Sequence, residues 1–510
     1  LISTSRQTSP SALGAGHAWQ YNTKKVRELQ ERALSTIPFP KPDEAILARR
    51  PDIIDALAHR VAPECLITAE VERRAYETDA LSSYARLPLA VALPRSTEEV
   101  SAVLKCCSEL GVPVVARGAG TSLAGGAIPT EDAVVIGLAK MNQVLCIDTR
   151  SRFVRVQAGI TNLAVTDAIR GDGFFYAPDP SSQLACTIAG NIAMNSGGAH
   201  CLKYGVTTNN VLGARIVLMD GTIVDLGGEA MDVPGLDLMG LFVGSEGQLG
   251  VVTEATLKII PTPQGARPVL LGFNTPEAAG ATVAAIIAAG IIPVAMEYMD
   301  KAAIEICEAF SKAGYPLDVE AMLIIEMEGT ETEIEDGLAR IVAIGQEHDV
   351  RIVKESRSAM ETAQIWKGRK SAFGATGRVA DYICMDGTIP TSQLPYVLRR
   401  ISEIVAGYGL RVANVFHAGD GNLHPLVLFN ANDPADQVRA EAAGNDILRL
   451  CVEVGGCLTG EHGVGIEKRD LMPIQFNTVE LAQQMRVRSA FDPSWLLNPA
   501  KVFPLEERTL

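Results

Sequence analysis

Residues 89–126, LAVALPRSTEEVSAVLKCCSELGVPVVARGAGTSLAGG, contain the strongest fold signal in the chain. Two apolar runs of strand-like composition flank a segment in which apolar residues recur at helical spacing, among them Val100, Val103 and Leu104. Ser96, followed three residues later by Glu99, predicts a capping box at the start of that helix. The order of strand, helix, strand and glycine-rich loop predicts a βαβ unit.

The loop after this unit, Arg117-Gly-Ala-Gly-Thr-Ser122 with Gly125 and Gly126 close behind, has the composition of an anion-binding turn. Glycines let backbone N–H groups converge on an anion, and Thr121 and Ser122 add hydroxyl donors. The third glycine of a Rossmann fingerprint and the Gly-Lys of a P-loop are both missing. Taken alone, the loop suits a structural turn as well as a phosphate site.

Three further stretches combine small residues with short polar side chains: PDPSS at 178–182, TIAGNIAMNSGG at 187–198 and GSEGQLG at 244–250. Small side chains let the backbone approach a ligand closely, so the four stretches together predict a site for one large, polar, flat molecule. Short β-rich runs fill the rest of 133–260, and Asp220-Gly221 between two of them predicts a hairpin.

A Pro/Gly-rich stretch near residue 261, PTPQGARP, predicts a domain boundary. Two strand-helix alternations follow it, VLLGF with EAAGATVAAIIAAG and AMLIIEMEG with ETEIEDGLARIVAIGQEH. The two alternations predict a ferredoxin-like α+β domain in the second half of the chain.

The stretch VANVFHAGDGNLHPLVLF predicts a strand, a turn at Asp420-Gly421-Asn422 and a second strand. If the strands pair, His417 and His424 lie at the two ends of the turn and can face one point. Only seven histidines occur in the 510 residues, so this pairing is informative.

A second glycine-bracketed segment, GGCLTGEHGVGIEKRD, adds the carboxylate of Glu461 and the imidazole of His462. Two histidines and one carboxylate suit Zn²⁺, and also Fe²⁺ or Mn²⁺, because ligand type alone does not choose among them. A histidine pair alone would favour packing or turn stabilisation. The combination with Glu461 and His462 favours a divalent-metal site.

Composition excludes several classes of protein. The chain has 45 Lys and Arg against 60 Asp and Glu, a formal charge of -15, and no basic cluster, so nucleic acid is not an expected partner. No apolar run of membrane-spanning length and no secretory pattern occurs, and we expect a cytoplasmic protein without direct membrane insertion. Ten cysteines without a Cys-x-x-Cys spacing predict reduced thiols and disfavour an iron–sulfur cluster in this chain.

The four small-residue stretches, in this order, resemble the FAD-binding domain of the vanillyl-alcohol oxidase type flavoproteins, and the resemblance continues from about residue 50 to 505. Within that superfamily the chain is most similar to the group of the glycolate oxidase (glycolate dehydrogenase) D subunit, whose relatives include D-lactate and D-2-hydroxyglutarate dehydrogenases. The resemblance implies an α+β fold with a two-part FAD-binding domain, a ferredoxin-like substrate (cap) domain and a C-terminal helical segment returning to the flavin. We therefore expect a mostly helical segment at 1–85, of which 1–20 is disordered, a FAD-binding domain at 86–263 and a substrate and C-terminal domain at 264–505.

The resemblance also implies which residues hold the cofactor. The first loop would bind the FAD pyrophosphate, and the later stretches would line the flavin and adenine ends. No histidine lies in the first loop, so non-covalent FAD is expected. The implied cofactor-binding residues are Arg117, Gly118, Ala119, Gly120, Thr121, Ser122, Gly125, Gly126, Pro178, Asp179, Ser181, Thr187, Gly190, Asn191, Asn195, Gly197, Glu246, Gly250, Val252 and Asn498, with Lys501 near the flavin as well.

In metal-dependent members of this family, the matches to His417, His424 and Glu461 are the divalent ligands and the match to His462 is the base. For the carboxylate of a 2-hydroxy acid we predict Arg369 as the partner, because its planar fork can bind a carboxylate bidentately. Two polar residues of the D-2-hydroxyglutarate enzymes fall on Phe373 and Cys384 here. This departure favours a short substrate, glycolate or D-lactate, over a long diacid.

The predicted function is thus FAD-dependent oxidation of a short D-2-hydroxy acid to the 2-oxo acid by hydride transfer to flavin N5. Electrons would pass to flavin and iron–sulfur partner subunits of a glycolate oxidase complex, which could associate the protein with a membrane, or to a quinone-type acceptor. D-lactate or D-2-hydroxyglutarate dehydrogenase activity is the nearest alternative. From other classes, a metal-dependent hydrolase and a non-catalytic flavin or assembly subunit also remain open.

Overall fold

The computed structural model describes residues 37–230 and 235–505. The disorder expected for residues 1–20 therefore concerns a segment outside the described residues. Between residues 37 and 85 the helices are short, and irregular chain follows the last of them. The elements of this part are α1 (Glu44–Ala48), α2 (Arg50–Ala58), β1 (Leu66–Ile67) and α3 (Glu70–Arg73).

The predicted βαβ unit forms a small sheet. Its elements are β2 (Ala90–Ala92), α4 (Thr97–Leu110), β3 (Val114–Arg117) and β4 (Val134–Gly137). The strand order is β1-β2-β4-β3, so that β4 lies between the two strands of the unit and is parallel to both.

The predicted capping box at α4 forms only in part. Ser96 Oγ accepts the N–H of Glu99 at 3.2 Å, as expected. The Glu99 carboxylate accepts the N–H of Arg95 at 2.7 Å, one residue before the predicted partner. The helix still gains a satisfied N-terminal donor, and it ends at Gly111, whose φ of +67° is left-handed.

A second, antiparallel sheet has the order β5-β6-β10-β8-β9. The Asp220-Gly221 hairpin is confirmed, because it joins β8 to β9 in register. Helices and strands of this region are β5 (Val144–Asp148), β6 (Phe153–Gln157), α5 (Asn162–Ile169), β7 (Phe174–Phe175), α6 (Ile188–Met194), α7 (Cys201–Tyr204), β8 (Val211–Val217), β9 (Ile223–Gly227), α8 (Leu238–Phe242), β10 (Val251–Lys258) and β11 (Ile260–Pro261), which pairs with β7.

The second half of the chain is built on a seven-stranded antiparallel sheet of order β15-β12-β14-β13-β17-β18-β16. Its elements are β12 (Gly265–Phe273), α9 (Pro276–Ala288), β13 (Ala295–Asp300), α10 (Lys301–Ser311), β14 (Ala321–Gly329), α11 (Glu331–Glu347), β15 (Val350–Glu355), α12 (Ala359–Lys370), α13 (Ala372–Thr376), β16 (Asp381–Cys384), α14 (Leu394–Gly407), β17 (Arg411–His417), β18 (Pro425–Phe429) and α15 (Pro434–Glu453).

The first four strands of this sheet have the ferredoxin-like order 4-1-3-2, with α10 as an additional helix. β17, β18 and β16 extend the same sheet through the pairing of β17 with β13. Both faces are covered: Val269 and Leu271 pack into one apolar cluster, and Leu270, which lies between them in the strand, packs into another. We refer to this half as the cap.

The chain returns to the first sheet at its end. After α16 (Met472–Gln475) and α17 (Thr478–Phe491), an irregular segment passes beside β3 and forms a single β-bridge between Leu497 and Val114. Val114 N donates to Leu496 O at 2.8 Å, and Asn498 N donates to Val114 O at 2.7 Å. The return to the N-terminal half is therefore made by irregular backbone, with a helix, α17, before it.

Candidate active site

A cavity of about 380 Å³ lies between the N-terminal half and the cap. Both halves contribute to its wall, including Glu461, His462, Phe373 and Tyr382 from the cap half. Fifteen of the predicted cofactor residues line it: Arg117, Gly118, Ala119, Gly120, Thr121, Ser122, Gly126, Ser181, Thr187, Gly190, Asn191, Glu246, Gly250, Val252 and Asn498.

Two of the small-residue stretches are in tight contact within this wall. A Cβ on Gly118 would lie 2.2 Å from Thr187 Oγ1, so only glycine fits there. Thr187 Oγ1 accepts the N–H of Gly190 and thereby caps α6. Asn191 Nδ2 and Ser245 Oγ are buried without a hydrogen-bond partner among the described residues. Unpaired buried donors in a glycine-built cavity suit a large polar ligand.

Five predicted cofactor residues lie outside this cavity, because the structure gives them other contacts. Gly125 packs on Ile466, the Pro178 carbonyl accepts from Asn162, and Asp179 pairs with His200 at 3.0 Å. Asn195 ends α6 in the left-handed conformation, and its side chain accepts from Thr208 N.

Gly197 is the fifth, and its N–H donates to Glu461 Oε2 at 3.1 Å. A Cβ on Gly197 would lie 2.8 Å from that same oxygen. This glycine, which the sequence predicted to bind the cofactor, contacts the carboxylate of Glu461 and does not line the cavity.

The predicted histidine hairpin is present. β17 and β18 pair antiparallel, and Gly421 at the turn has a φ of +77°. His417 and His424 stand with their rings 5.1 Å apart, as the sequence predicted from the two ends of the turn.

Glu461 lies between the two histidines. Its Oε1 is 3.5 Å from His417 Nε2 and 3.3 Å from His424 Nε2. Ligand atoms that share a tetrahedral ion at 2.0–2.2 Å lie about 3.4 Å apart, so these separations suit a small divalent cation. His424 is 2% exposed, and neither ring nitrogen has a hydrogen-bond partner among the described residues. The donor set of His417, His424 and Glu461 thus fits a metal ion.

His462 stacks on His424 with ring centroids 5.0 Å apart and an interplanar angle of 13°. Burial lowers the pKa of His462 to about 4, although the Asp386 carboxylate acts in the opposite direction. A neutral imidazole on the cavity wall can accept a proton.

Asp386 was not foreseen from the sequence. It is fully buried, and its carboxylate accepts the N–H of His462 at 2.9 Å and lies 3.5 Å from His424 Nε2. Burial would raise its pKa, but the neighbouring histidines and Lys468 outweigh burial and hold the pKa well below the usual range. Asp386, His424 and His462 form a second possible donor set that shares His424 with the first.

Glu297, from β13, was also unforeseen, and it changes the environment predicted for Arg369. Arg369 Nε and Nη2 donate to Glu297 Oε2 at 2.8 and 2.6 Å. The other oxygen of Glu297 accepts from His417 Nδ1 at 2.7 Å. The sequence predicted an arginine fork open to a substrate carboxylate, whereas part of this fork is bonded to a buried glutamate.

The charges around Glu297 and His417 explain the pKa values of these two groups. Burial opposes ionisation of Glu297, but Arg369 and His417 lower its pKa to about 2. Burial would lower the pKa of His417, and the carboxylates of Glu297 and Glu461 instead raise it well above the usual value. The space between these carboxylates therefore favours a positive charge.

Comparison with known sequences identifies the family of this chain. The family described as FAD binding domain matches residues 88–227, and the family described as FAD linked oxidases, C-terminal domain, matches residues 262–502. Glycolate oxidase subunit GlcD of Escherichia coli is 48% identical over 90% of this chain and 92% of its own length. The chain belongs to the FAD-linked oxidases.

Two further proteins resemble this chain at lower sequence identity. D-lactate dehydrogenase of Anaerostipes hadrus is 31% identical over 89% of this chain and 97% of its own length. Among solved structures, 4-ethylphenol oxidase from Gulosibacter chungangensis superimposes with a TM-score of 0.77 over 92% of this chain and all of the other, at 17% identity. The latter shows the fold alone, and it agrees with the predicted vanillyl-alcohol oxidase type architecture.

As an FAD-linked oxidase, the chain binds FAD in the N-terminal half, where the matched FAD-binding domain contributes most of the cavity wall. The ten cysteines are free of disulfides in the structure. Among the described helices, none combines the length and the apolar character needed to cross a membrane.

Two signals in the sequence could have revealed the unforeseen acids. Glu297 is the one carboxylate among the buried residues of the strand AMEYMD, and Asp386 directly follows Cys384 and Met385, which are both buried. A carboxylate inside or at the end of a buried strand requires a partner, and here each partner belongs to the histidine cluster.

Proposed function

We propose that this FAD-linked oxidase oxidises a short D-2-hydroxy acid, glycolate or D-lactate, to the corresponding 2-oxo acid. The observation that carries the proposal is that Glu461 and His462 line the same cavity as the pyrophosphate-type loop 117–122. The similarity to proteins named glycolate oxidase subunit and D-lactate dehydrogenase supports the same substrate class.

Fifteen of the predicted cofactor residues are the proposed wall of the FAD site, and the FAD is proposed to be non-covalent because the first loop contains no histidine. When bound, FAD supplies a hydride acceptor at N5. Gly118 and Gly120 admit the cofactor closely, since a side chain at either position would collide with Thr187 or with Arg117.

The proposed ligands of a divalent ion, Zn²⁺, Fe²⁺ or Mn²⁺, are His417, His424 and Glu461. When bound, such an ion supplies Lewis-acid stabilisation of negative charge on the substrate oxygens. Glu297 holds His417 by its Nδ1–H, which leaves Nε2 directed towards Glu461. Gly197 holds the other oxygen of Glu461.

His462 is the proposed base. Its ring, neutral because burial lowers its pKa, would take the hydroxyl proton of the substrate as C2 gives up its hydride. The hydroxyl O–H and the C2–H bonds break, a C=O double bond forms, and the substrate loses two electrons and two hydrogens.

Arg369 is the proposed partner of the substrate carboxylate. A guanidinium has five N–H donors, and two nitrogens of this one are engaged by Glu297, so further donors remain for a substrate. Phe373 and Tyr382 are proposed to limit substrate length. Their rings lie 6.3 Å apart on the cavity wall, and the Phe373 ring is 6.4 Å from that of His424.

Electrons are proposed to leave for flavin and iron–sulfur partner subunits, with a quinone-type acceptor as the alternative. The E. coli relative is named as a subunit of glycolate oxidase, and no Cys-x-x-Cys spacing for a cluster occurs in this chain. We propose a cytoplasmic protein that such partners could hold at a membrane.

Anaerobic reduction of the bound flavin tests this function. We expect glycolate and D-lactate to bleach the flavin, and L-lactate and D-2-hydroxyglutarate to act far more slowly. A colourless purified protein would contradict the proposal in favour of hydrolytic chemistry. A yellow protein whose flavin no 2-hydroxy acid reduces would contradict the proposal in favour of a non-catalytic flavin subunit.

A further inference from the structure

The segment Thr459–Gly465, sequence TGEHGVG, carries both Glu461 and His462 but contains no helix or strand. Each backbone N–H from residue 460 to 465 is nevertheless hydrogen-bonded to a side chain. Asp386 accepts those of residues 460, 461 and 462 at 3.0, 3.1 and 2.9 Å, and Thr459 Oγ1 accepts that of residue 463 at 2.9 Å. The N–H groups of residues 464 and 465 donate to Glu246.

Glu246 receives these last two bonds with both carboxylate oxygens. Val464 N donates to Oε1 at 2.6 Å and Gly465 N to Oε2 at 2.8 Å. Burial raises the pKa of Glu246, and these two N–H groups act in the opposite direction. The sequence placed Glu246 among the cofactor residues, but its carboxylate is bonded to the loop that carries His462.

Glu246 and Asp386 are fixed in different halves of the molecule. Glu246 N donates to Ala193 O at 2.8 Å, and Asn498 Nδ2 links the carbonyls of Glu246 and Gly126. Asp386 follows β16 of the cap sheet, and its backbone carbonyl accepts Gly460 N at 2.8 Å. The loop is therefore held from the FAD side at one end and from the cap side at the other.

We propose that Glu246 and Asp386 are positioning residues that together set the placement of Glu461 and His462 relative to the flavin. Two carboxylates and one threonine hydroxyl accept six consecutive N–H groups, so a segment without secondary structure is held at each of its residues from 460 to 465. Charge-assisted bonds of this kind are stronger than neutral ones. The kinetic consequence rests on the function proposed above, whereas the structural consequence does not.

Amide hydrogen exchange on the FAD-loaded protein tests the proposal directly. In Glu246→Gln we expect exchange at residues 464 and 465 to accelerate at least about tenfold, because an amide accepts with only one oxygen. In Asp386→Asn we expect the acceleration at residues 460–462 instead. Glu441→Gln is the control: Glu441 is a partly buried acid that accepts a hydrogen bond from Tyr84, and its replacement should leave exchange at 459–465 unchanged.

The same variants give a kinetic readout. We expect Glu246→Gln to retain FAD and to be reduced by dithionite at the parental rate. Reduction by glycolate should slow by about 10- to 100-fold, as is typical when the support of a ligand is lost.

Three results would overturn the proposal. The first is loss of FAD from Glu246→Gln with unchanged exchange in the loop, which would make Glu246 a cofactor residue only. The second is accelerated exchange in the variants together with a rate of flavin reduction by glycolate and an affinity for Zn²⁺ that both equal those of the parent. The third is unchanged exchange in both variants. If no 2-hydroxy acid reduces the parent protein, the proposed function fails and the exchange pattern still decides the positioning role.

Discussion

At the scale of single residues, three observations concern His462, the proposed base. It lies on the cavity wall, it is held through its backbone by Asp386, and burial lowers the pKa of its ring to about 4. Stacking on His424 fixes the plane of the imidazole. A histidine in this state is neutral over the physiological pH range and is ready to accept a proton.

Replacement of His462 by alanine removes the proton acceptor but none of the cofactor loop. We predict that His462→Ala retains FAD and is reduced by glycolate about 10² to 10⁴ times more slowly than the parent. Stopped-flow absorbance of the flavin under nitrogen measures this rate. A parental rate would mean that another group takes the proton.

Arg369 and Glu297 can be separated by comparing two variants. Glu297→Gln should weaken metal binding by about 10- to 100-fold, because His417 loses its carboxylate partner. Arg369→Met should do the same, since it leaves Glu297 buried without its counter-charge. If Arg369 also binds the substrate, only Arg369→Met raises KM for glycolate in metal-saturated enzyme. Equal KM values in the two variants would restrict Arg369 to the support of Glu297.

Phe373 provides a test of substrate length. We predict that Phe373→Ala gains activity on 2-hydroxy acids with longer side chains, relative to glycolate, because it removes a ring from the cavity wall. Phe310→Ala, at a ring that is 46% exposed on α10, is the control and should leave the preference unchanged. An unaltered ratio of kcat/KM values in Phe373→Ala would place the substrate elsewhere in the cavity.

At the scale of elements, the β17–β18 hairpin was predictable because its signals are local. A Gly at the positive-φ turn position and apolar runs on either side predict both the turn and the pairing. The same holds for α4 and for the strand-helix alternations of the cap. The sequence did not predict that β16, β17 and β18 join the ferredoxin-like strands in one sheet. The contact that joins them pairs β13 with β17, which are more than a hundred residues apart.

The β17–β18 hairpin also holds two of the proposed metal ligands, His417 and His424, and metal binding can be tested there. We predict one divalent ion per chain in the purified parent and its loss from His424→Ala, with FAD retained. Elemental analysis by mass spectrometry measures the ion, and absorbance measures the flavin. His59→Ala, at an exposed histidine after α2, is the control. Metal retained in His424→Ala would exclude both donor sets that share this histidine.

The supporting acids of the site show why sequence reasoning found the ligands but missed their partners. His417 and His424 are separated by one turn and Glu461 adjoins His462, so each pair is visible as a motif. Glu297 lies 120 residues from His417, and Glu246 lies 218 residues from Val464. Contacts between residues so far apart in the chain depend on the packing of sheets and loops, and no short motif in the sequence reveals them.

At the scale of the whole molecule, the site exists only where the two halves meet. The loops of the N-terminal half form most of the cavity, the cap sheet positions the histidines, and the C-terminal segment returns to β3 to place Asn498 between Gly126 and Glu246. The residues proposed for cofactor, metal and proton transfer thus come from segments that are hundreds of residues apart.

A crystal structure of the protein with FAD, determined with anomalous data at the zinc edge after soaking with Zn²⁺, tests this arrangement most directly. We predict an anomalous peak bounded by His417 Nε2, His424 Nε2 and Glu461 Oε1, with the N5 edge of the flavin turned towards it and His462 between the two. A peak at another place, or a flavin whose N5 edge faces away from His462, would contradict the arrangement.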